Sequence, residues 1–280
     1  MFHLNLASLG CHKEELVTSL SLLNFRFDFI AVSETRILNG VEPIYDISID
    51  GYNHYHTPTE SVKGGVIIYS RNNIDIQRRT DLEAMLYKSK ELESVILEII
   101  NEGRKNEIFA CVYRHPNMSL SEFNNDFLTD FRAKINLENK IAYISGDFNI
   151  NLLNVDEDKE TRRFYDIMSS SLFIPRITLP TRITAKTQTL IDDIFSNNPD
   201  FEEGISGNFT FSISDHLAQF LIMPTKIKKH LKKHNLHKRD WKNLNKEDIV
   251  ADTIATNWPD TMEMWKGDVH LSFDNFEKND

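Results

Sequence analysis

The chain has 280 residues, a formal net charge of −10 and 40% hydrophobic residues. This length allows one large domain or two of ordinary size, and the apolar content excludes a disordered chain. The two cysteines, Cys11 and Cys111, exclude a disulfide framework and fit a reducing compartment. The sequence shows neither a signal peptide nor an apolar run of about twenty residues, which argues against secretion and membrane spanning.

Apolar periodicity predicts a first strand at residues 2–6 and a helix at residues 13–23. A second helix is predicted to begin at the capping box formed by Ser119 and Glu122 and to run to residue 136, and a third covers residues 161–171. Further strands are predicted at 27–33, 66–69, 92–100, 108–113, 141–145, 190–195, 209–212 and 217–223. Many strands with few helices indicate an α/β fold in which sheets pack face to face with helices outside.

The composition changes after Pro224. Residues 226–239 contain seven Lys or Arg and no acid, which predicts a basic linker at 225–240. Residues 241–280 place scattered Trp and Phe in an acidic background, with too little apolar surface for a domain. The preceding body is acidic, so bulk attraction cannot hold a nucleic acid there. Binding one would need a local basic rim and a bound cation.

Polar groups of complementary chemistry stand at the ends of predicted strands. Asp147 and Asn149 follow one strand two positions apart, and Asp215 and His216 precede the last strand side by side. Acid, amide and imidazole are the groups that metal-assisted hydrolysis of a phosphodiester needs. The acid holds a divalent cation or takes a proton from water, the amide orients the nucleophile, and the imidazole meets the charge on the phosphoryl oxygen.

Five more positions carry groups that suit such a site: Asn5, Glu34, Tyr113, Arg114 and His115. Glu34 follows a buried strand and is either a metal ligand or an ordinary loop residue. Asn5 is equally compatible with a satisfied amide in the core. The phenol, guanidinium and imidazole of the other three residues can contact phosphate or simply begin a loop.

Two neighbouring acids, Asp192 and Asp193, lie inside an apolar strand. Burying either acid is costly unless it has a partner, so one of them must face solvent or a site. Alternation along the strand does not decide which one, because both have apolar neighbours two positions away. A buried acid such as Asp192 within reach of His216 would fix the tautomer of the imidazole and raise its pKa.

These residues, taken in chain order, resemble the endonuclease/exonuclease/phosphatase superfamily over essentially all of residues 1–224. The matching positions are Asn5, Glu34, Tyr113, Asp147-Phe148-Asn149, Asp192 and Ser214-Asp215-His216. Several strings are similar to the endonuclease domain of non-LTR (LINE-type) retrotransposon polyproteins, among them FDFIAVSETR, SGDFNINLL, PTRIT, TLIDDIF and SISDHLAQF. The resemblance implies a four-layer α/β sandwich of two mixed sheets flanked by helices, with the site at the strand ends.

The resemblance also implies residue roles. Glu34 resembles the acid that binds Mg²⁺, and Asn5 and Asp215 resemble groups on the metal side. Asp147 is similar to the acid that aligns or deprotonates the attacking water. The remaining implied groups are Asn149 for metal and phosphate, Tyr113 for the scissile phosphate, and His216 with its partner Asp192.

A member of this family is expected to be a Mg²⁺-dependent endonuclease, with Mn²⁺ as the alternative ion, that nicks double-stranded DNA and leaves a 3′-hydroxyl. Such a protein would be intracellular, and nuclear if it acts on chromosomal DNA. Ala7 stands where abasic-site enzymes have an acid, which weakens a repair role. Residues 241–280 would be a truncated segment leading to an absent reverse transcriptase. Two alternatives stay open: a phosphoesterase acting on other phosphates, and a decayed or domesticated fragment without turnover.

Overall fold

The computed structural model describes residues 1–200, 203–224 and 246–255, and the chain divides into two units. The first unit, Met1–Thr225, contains both large sheets. The described part of the second unit, Lys226–Asp280, is one helix, Lys246–Ala255. The predicted linker at 225–240 and most of the segment at 241–280 lie outside the described residues, so the division of the chain into these parts stays a prediction. None of the described helices combines the length and apolar character needed to cross a membrane.

The first sheet contains six strands. They are β1 (Phe2–Asn5), β2 (Phe29–Ser33), β3 (Tyr52–Thr57), β4 (Val66–Arg71), β13 (Ile205–Phe209) and β14 (Ala218–Ile222). Their spatial order is β13-β14-β1-β2-β4-β3. Only β1 and β2 run parallel, and the other neighbouring strands are antiparallel.

The second sheet also contains six strands. They are β5 (Gln77–Arg78), β6 (Leu92–Ile99), β7 (Glu107–Arg114), β8 (Ile141–Asp147), β9 (Ile174–Pro175) and β12 (Asp192–Ser196). The spatial order is β5-β6-β7-β8-β12-β9, with β7 and β8 parallel. A separate hairpin, β10 (Arg182–Ile183) with β11 (Gln188–Thr189), follows β9 in the chain.

Helices cover the outer faces of the two sheets. They are α1 (Leu9–Leu22), α2 (Thr80–Glu83), α3 (Leu120–Glu122), α4 (Thr129–Leu137) and α5 (Lys159–Ser169). The helix of the second unit, described by itself, is named α6 (Lys246–Ala255). A π-helical stretch, Phe123–Leu128, joins α3 to α4. Ser119 is the N-cap of α3, as predicted, because its side chain accepts a hydrogen bond from the Glu122 amide. The Glu122 carboxylate pairs with Lys88, so the reciprocal bond of a capping box is not formed.

Three apolar cores separate the layers, and they follow from the alternation of side chains along each strand. Ile30 and Val32 of β2 point outward and pack with Leu9 and Leu16 of α1. Phe29, on the opposite face of β2, lies between the two sheets and stacks on Phe109 with ring centroids 3.8 Å apart. The third core lies between the second sheet and α2–α5. The predicted four-layer α/β sandwich is therefore confirmed.

The structure differs from the sequence prediction at several elements. Helix α1 begins at Leu9 rather than at residue 13, because the buried Leu9 donates its amide to the Thr35 carbonyl at 2.9 Å. The strand expected at 209–212 is wrong: β13 ends at Phe209, and the left-handed backbone at Ser212 interrupts the extended run. Strand β3, whose sequence YNHYHT lacks apolar alternation, was not predicted because it lies at an edge of its sheet.

Phe164 of α5 tests the outer core of the second sheet. It is fully buried, and its ring packs on those of Phe148 and Phe195 at centroid distances of 5.8 and 5.6 Å. We expect Phe164→Ala to lower the free energy of unfolding by about 3–5 kcal/mol, because it leaves a cavity among rings that cannot collapse. Urea unfolding measures this change. Phe25→Ala, the same deletion at a half-exposed ring, should cost clearly less, and equal losses would contradict this layer assignment.

Candidate active site

A row of polar side chains crosses the second sheet at one end. Strand register makes Tyr113, Asp147 and Asp192 direct neighbours on β7, β8 and β12. Glu93 on β6 extends the row beside Tyr113. Residues paired across neighbouring strands point to the same face of a sheet. The register therefore brings all four groups into the layer between the sheets, where each is at most 2% exposed.

The first sheet adds Asn5, the last residue of β1, and Glu34, which follows β2. Asn5 Nδ2 donates to Asp147 Oδ2 at 2.8 Å and to Glu34 Oε2 at 3.3 Å. The Tyr113 hydroxyl donates to the same Glu34 oxygen at 3.4 Å, while Arg36 donates to Glu34 Oε1 at 2.8 Å. One amide thus joins carboxylates that come from the two different sheets.

A second connection joins Asp192 to His216, which lies two residues before the start of β14. His216 Nδ1 lies 2.8 Å from Asp192 Oδ2, and both side chains are buried. Thr181 donates its hydroxyl to the same Asp192 oxygen at 2.7 Å. Asp193 faces the other side of β12, where its Oδ1 accepts the backbone amides of Arg176, Ile177 and Ile194. Of the two neighbouring acids, Asp192 is the one that lies in this cluster.

Left-handed backbone occurs at two of the acid and amide positions. Glu34 has a φ of 55° and Asn149 a φ of 50°. Such angles cost energy in residues other than glycine, and they cluster at functional sites where the surrounding structure holds them. The Asn149 conformation is held by its amide, which donates to Asp147 Oδ1 at 2.9 Å, and by its side chain, which donates to the Arg114 carbonyl at 2.8 Å.

The burial of these groups changes their protonation. Burial is the larger cause and repulsion from Asp192 the second, and together they raise the pKa of Asp147 to about 7. Burial disfavours the His216 imidazolium, but the carboxylates of Asp192, Asp147 and Asp215 outweigh it and raise the pKa of His216 to about 9. At neutral pH the cluster therefore combines a cationic imidazole with an acid that is close to its titration point.

The arrangement could hold a divalent cation. Oxygen atoms of Asp147 and Asp192 and a ring nitrogen of His216 lie within 4.8 Å of one another. Because a protonated imidazole cannot ligate a cation, the two carboxylates would hold the ion. Asp192 Oδ1 is buried and has no hydrogen-bond partner among the described residues, so it is available to a cation. Carboxylate oxygens are the ligands that Mg²⁺ and Mn²⁺ prefer. The donors present fit such an ion, which would also relieve the repulsion between the two acids.

This cluster differs from the metal group predicted from the sequence. The Asn5 side chain lies between Glu34 and Asp147 and donates to both, and its Oδ1 accepts the Ala7 amide at 3.0 Å. Asp215 is about half exposed and pairs with Arg182 at 2.7 Å. That guanidinium outweighs partial burial and lowers the pKa of Asp215. The roles of Glu34, Asn5 and Asp215 toward a metal stay predictions.

Arg114 and His115 are placed differently from their predicted contact with phosphate. The buried Arg114 guanidinium donates to four backbone carbonyls, those of Phe148, Asn149, His115 and Met118. His115 is also buried, and its Nε2 lies 2.9 Å from Glu93 Oε2. The Arg114 guanidinium and His115 Nε2 are engaged inside the protein, so this geometry does not support their direct contact with a phosphate. Arg114 instead fastens the loop that carries Asp147 and Asn149.

Sequence reasoning missed three residues at the site: Thr181, Arg182 and Glu93. Arg182 forms a strand bridge with His216 and pairs with Asp215. Thr181 and Arg182 stand in the string PTRIT, which belongs to the family resemblance and could have drawn attention to them. Glu93 had a weaker signal, a single acid at the start of an apolar strand.

Comparison with known proteins places this geometry in a fold class. No protein-family model matches the sequence, and no curated protein matches it. Among solved structures, the endonuclease domain of TRAS1, a telomere-specific non-LTR retrotransposon, is 12% identical with a TM-score of 0.59, covering 80% of this chain and 98% of its own. The AP endonuclease LMAP from Leishmania major is 12% identical with a TM-score of 0.62, covering 80% and 87%.

A third similar structure is an endonuclease/exonuclease/phosphatase family protein from Leptotrichia buccalis, with 15% identity and a TM-score of 0.55, covering 80% of this chain and 98% of that one. At these identities the likeness concerns the fold. The chain has the endonuclease/exonuclease/phosphatase fold, as its sequence resemblance predicted. Among the structures that share it is a retrotransposon endonuclease domain, the type that the sequence strings resemble.

The raised pKa of His216 predicts how stability depends on pH. Its pKa is about 9 in the folded protein against 6.5 as its ordinary value, so its stabilising contribution is complete below pH 6.5 and is lost as pH rises through 9. In EDTA, the unfolding free energy of wild type should fall by roughly 1–3 kcal/mol more over this range than that of His216→Gln. The half-buried His12→Gln serves as the control and should behave like wild type. Parallel pH curves for wild type and His216→Gln would contradict the Asp192–His216 pairing.

Proposed function

We propose that this protein is a metal-dependent endonuclease that nicks DNA by hydrolysis of a phosphodiester. The observation that carries the proposal is the buried group formed by Asp147, Asp192 and His216, with Asn5 joining Asp147 to Glu34. This group combines an acid near its titration point, a cationic imidazole and donors suited to a divalent ion. These are the parts that phosphodiester hydrolysis requires.

Asp147 is the proposed acceptor of the proton from the attacking water. A general base must be oriented toward the water that it deprotonates. When no ion is bound, burial and repulsion from Asp192 raise the pKa of Asp147 to about 7. Asn5 and the Asn149 amide each donate to one oxygen of this carboxylate, which orients it. Asn149 and Tyr113 are proposed to contact the substrate, Asn149 from the loop after β8 and Tyr113 from the end of β7.

His216 is proposed to meet the negative charge that develops on the phosphoryl oxygens. Its Nδ1 is held by Asp192, and Asp192 is held in turn by the Thr181 hydroxyl. The ring orientation is therefore fixed before substrate binds, so little reorganisation is needed at the moment of reaction. The pKa of about 9 keeps the imidazole protonated at neutral pH.

A bound Mg²⁺ or Mn²⁺ would supply charge neutralisation at the phosphate and polarise the scissile bond. Asp147, Asp192 and Glu34 are the proposed carboxylates at the ion, with Asn5 and Asp215 as the outer metal-side groups that the sequence resemblance implies. Because the body of the chain is acidic, the ion would also offset repulsion between these carboxylates and a nucleic-acid backbone.

Double-stranded DNA is proposed as the substrate from two observations. The sequence strings resemble non-LTR retrotransposon endonucleases, and one structure with the same fold is such a domain. Ala7 stands where abasic-site enzymes have an acid, which favours a retrotransposon-type endonuclease over a repair enzyme. Nicking would leave a 3′-hydroxyl, the end that could prime reverse transcription. Action on chromosomal DNA would place the protein in the nucleus.

Plasmid nicking tests the reaction and its residues. We expect supercoiled plasmid to become nicked circles with Mg²⁺ and not with EDTA, and Asp147→Ala and His216→Ala each to reduce the rate by about 100-fold or more. His12→Ala, at a half-buried position on α1 that is not among the site residues, should retain wild-type activity. If folded wild type does not nick plasmid, a panel of small phosphate esters separates the two alternatives. Hydrolysis of one of these esters would indicate a phosphoesterase that acts on other phosphates. No hydrolysis of any of them would indicate a fragment without turnover.

Metal binding can be tested without turnover. At pH 8, about 10 mM Mg²⁺ should raise the melting temperature of wild type, because the ion binds the folded state only. Asp147→Asn should melt higher than wild type without metal, since it removes a buried charge, yet should gain no further stability from Mg²⁺. Asp166→Asn, the same change at an exposed position on α5, should respond to Mg²⁺ as wild type does. An equal Mg²⁺ effect in Asp147→Asn would place the ion elsewhere.

A further inference from the structure

A second buried acid–imidazole pair lies beside the proposed site. Glu93 and His115 are 1% and 4% exposed, and His115 Nε2 is 3.1 and 2.9 Å from the two Glu93 oxygens. Thr59 donates its hydroxyl to Glu93 Oε1 at 2.7 Å. Pairs of this kind add little net stability, because desolvation offsets their attraction. What distinguishes this pair is its position beside Tyr113.

The pair is in direct contact with Tyr113. Glu93 is the cross-strand neighbour of Tyr113 in the register of β6 and β7. The His115 ring meets the Tyr113 ring edge-on, with centroids 4.7 Å apart and planes at 76°. Such edge-to-face contacts have a defined geometry. His115 and Glu93 thus both contact Tyr113, and the Tyr113 hydroxyl donates to Glu34 Oε2 at 3.4 Å.

The pair also supports the backbone next to Glu34. Gly64 passes so close that a Cβ there would lie 2.7 Å from His115 Nε2 and 2.9 Å from the Glu93 oxygens. The Gly64 carbonyl accepts the Arg36 amide at 2.9 Å, and the Gly65 carbonyl accepts the Thr35 amide at 3.1 Å. These two bonds hold the residues that follow Glu34, whose own backbone is left-handed. The chain needs glycine at position 64 because the pair fills the space of a side chain.

We propose that Glu93 and His115 form a positioning unit that holds Tyr113 and the Thr35–Arg36 backbone, and through them Glu34, in the geometry for phosphodiester hydrolysis. Neither side chain would touch the substrate, because both are buried and are packed against Tyr113 and Gly64. The inference rests on the proposed function for its catalytic consequence. Its structural consequence, the support of the backbone after Glu34, is independent of that function.

The kinetic test uses plasmid nicking by the full chain with Mg²⁺. Glu93→Ala and the milder Glu93→Gln should lower kcat, the alanine variant by about 10- to 100-fold, with little change in KM, as loss of a supporting group does. Glu98→Ala is the matched control, because Glu98 is an equally buried glutamate at the other end of β6 that pairs with Arg79 and Lys140. The Glu98→Ala variant should have a lower free energy of unfolding than wild type and the same kcat. Unchanged kcat in both Glu93 variants would overturn the proposal.

A double-mutant cycle separates positioning from general loss of stability. If Glu93 acts through Tyr113, adding Glu93→Ala to Tyr113→Phe should cost clearly less in kcat than it costs in wild type, because the contact it supports is already impaired. Glu98→Ala should change kcat equally little in both backgrounds. Fully multiplicative losses for Glu93→Ala and Tyr113→Phe would show independent action and overturn the link to Tyr113.

Amide hydrogen exchange gives a readout that does not require activity. Glu93→Ala should speed exchange at the Thr35 and Arg36 amides, which bond to Gly65 and Gly64, whereas Glu98→Ala should not. If wild type lacks nicking but this exchange effect is found, the proposed function fails and the positioning unit stands. If wild type nicks and exchange at both amides is unchanged, the unit fails while the proposed function stands.

Discussion

Two carboxylates on neighbouring strands, Asp147 and Asp192, are buried next to each other between the sheets, and the site is arranged around their repulsion. Taking two like charges out of water is costly unless other groups compensate for it. The raised pKa of Asp147 expresses that cost. Asn5 and His216 reduce it, Asn5 by donating to Asp147 and His216 by placing an imidazolium on Asp192. The repulsion that these two groups do not cancel would favour binding of a cation, and it makes Asp147 a suitable proton acceptor.

The groups that hold these acids come from distant parts of the chain. Arg114 uses its guanidinium on backbone carbonyls and so fastens the loop of Asp147 and Asn149 to the end of β7. Left-handed backbone at Glu34 and Asn149 is tolerated because such bonds hold it in place. Hydrogen bonds within the protein thus define the geometry of this cluster, which is what the proposed hydrolysis would require of a preorganised site.

Much of this could be predicted from sequence, because residue type and strand periodicity are local properties. Asp147 and His216 stand at predicted strand ends, and the structure brings them together. Arg114 and His115 were read as phosphate contacts because their chemistry allows it, yet burial engages both inside the protein. Whether Arg114 meets a phosphate or a backbone carbonyl depends on how far the loop after β8 folds back over it, which no spacing in the sequence encodes.

The sequence by itself determined the alternation of apolar strands and helices, the sandwich class and the kinds of groups at the strand ends. Strand alternation left Asp192 and Asp193 open, and the family resemblance implied Asp192; the tertiary structure places Asp192 against His216. Only the tertiary structure decided that Glu93, Tyr113 and Asp147 form one row. The physical reason is register: sliding a strand by one residue reverses which side chains face the interior, and the register is set by packing between segments far apart in the chain.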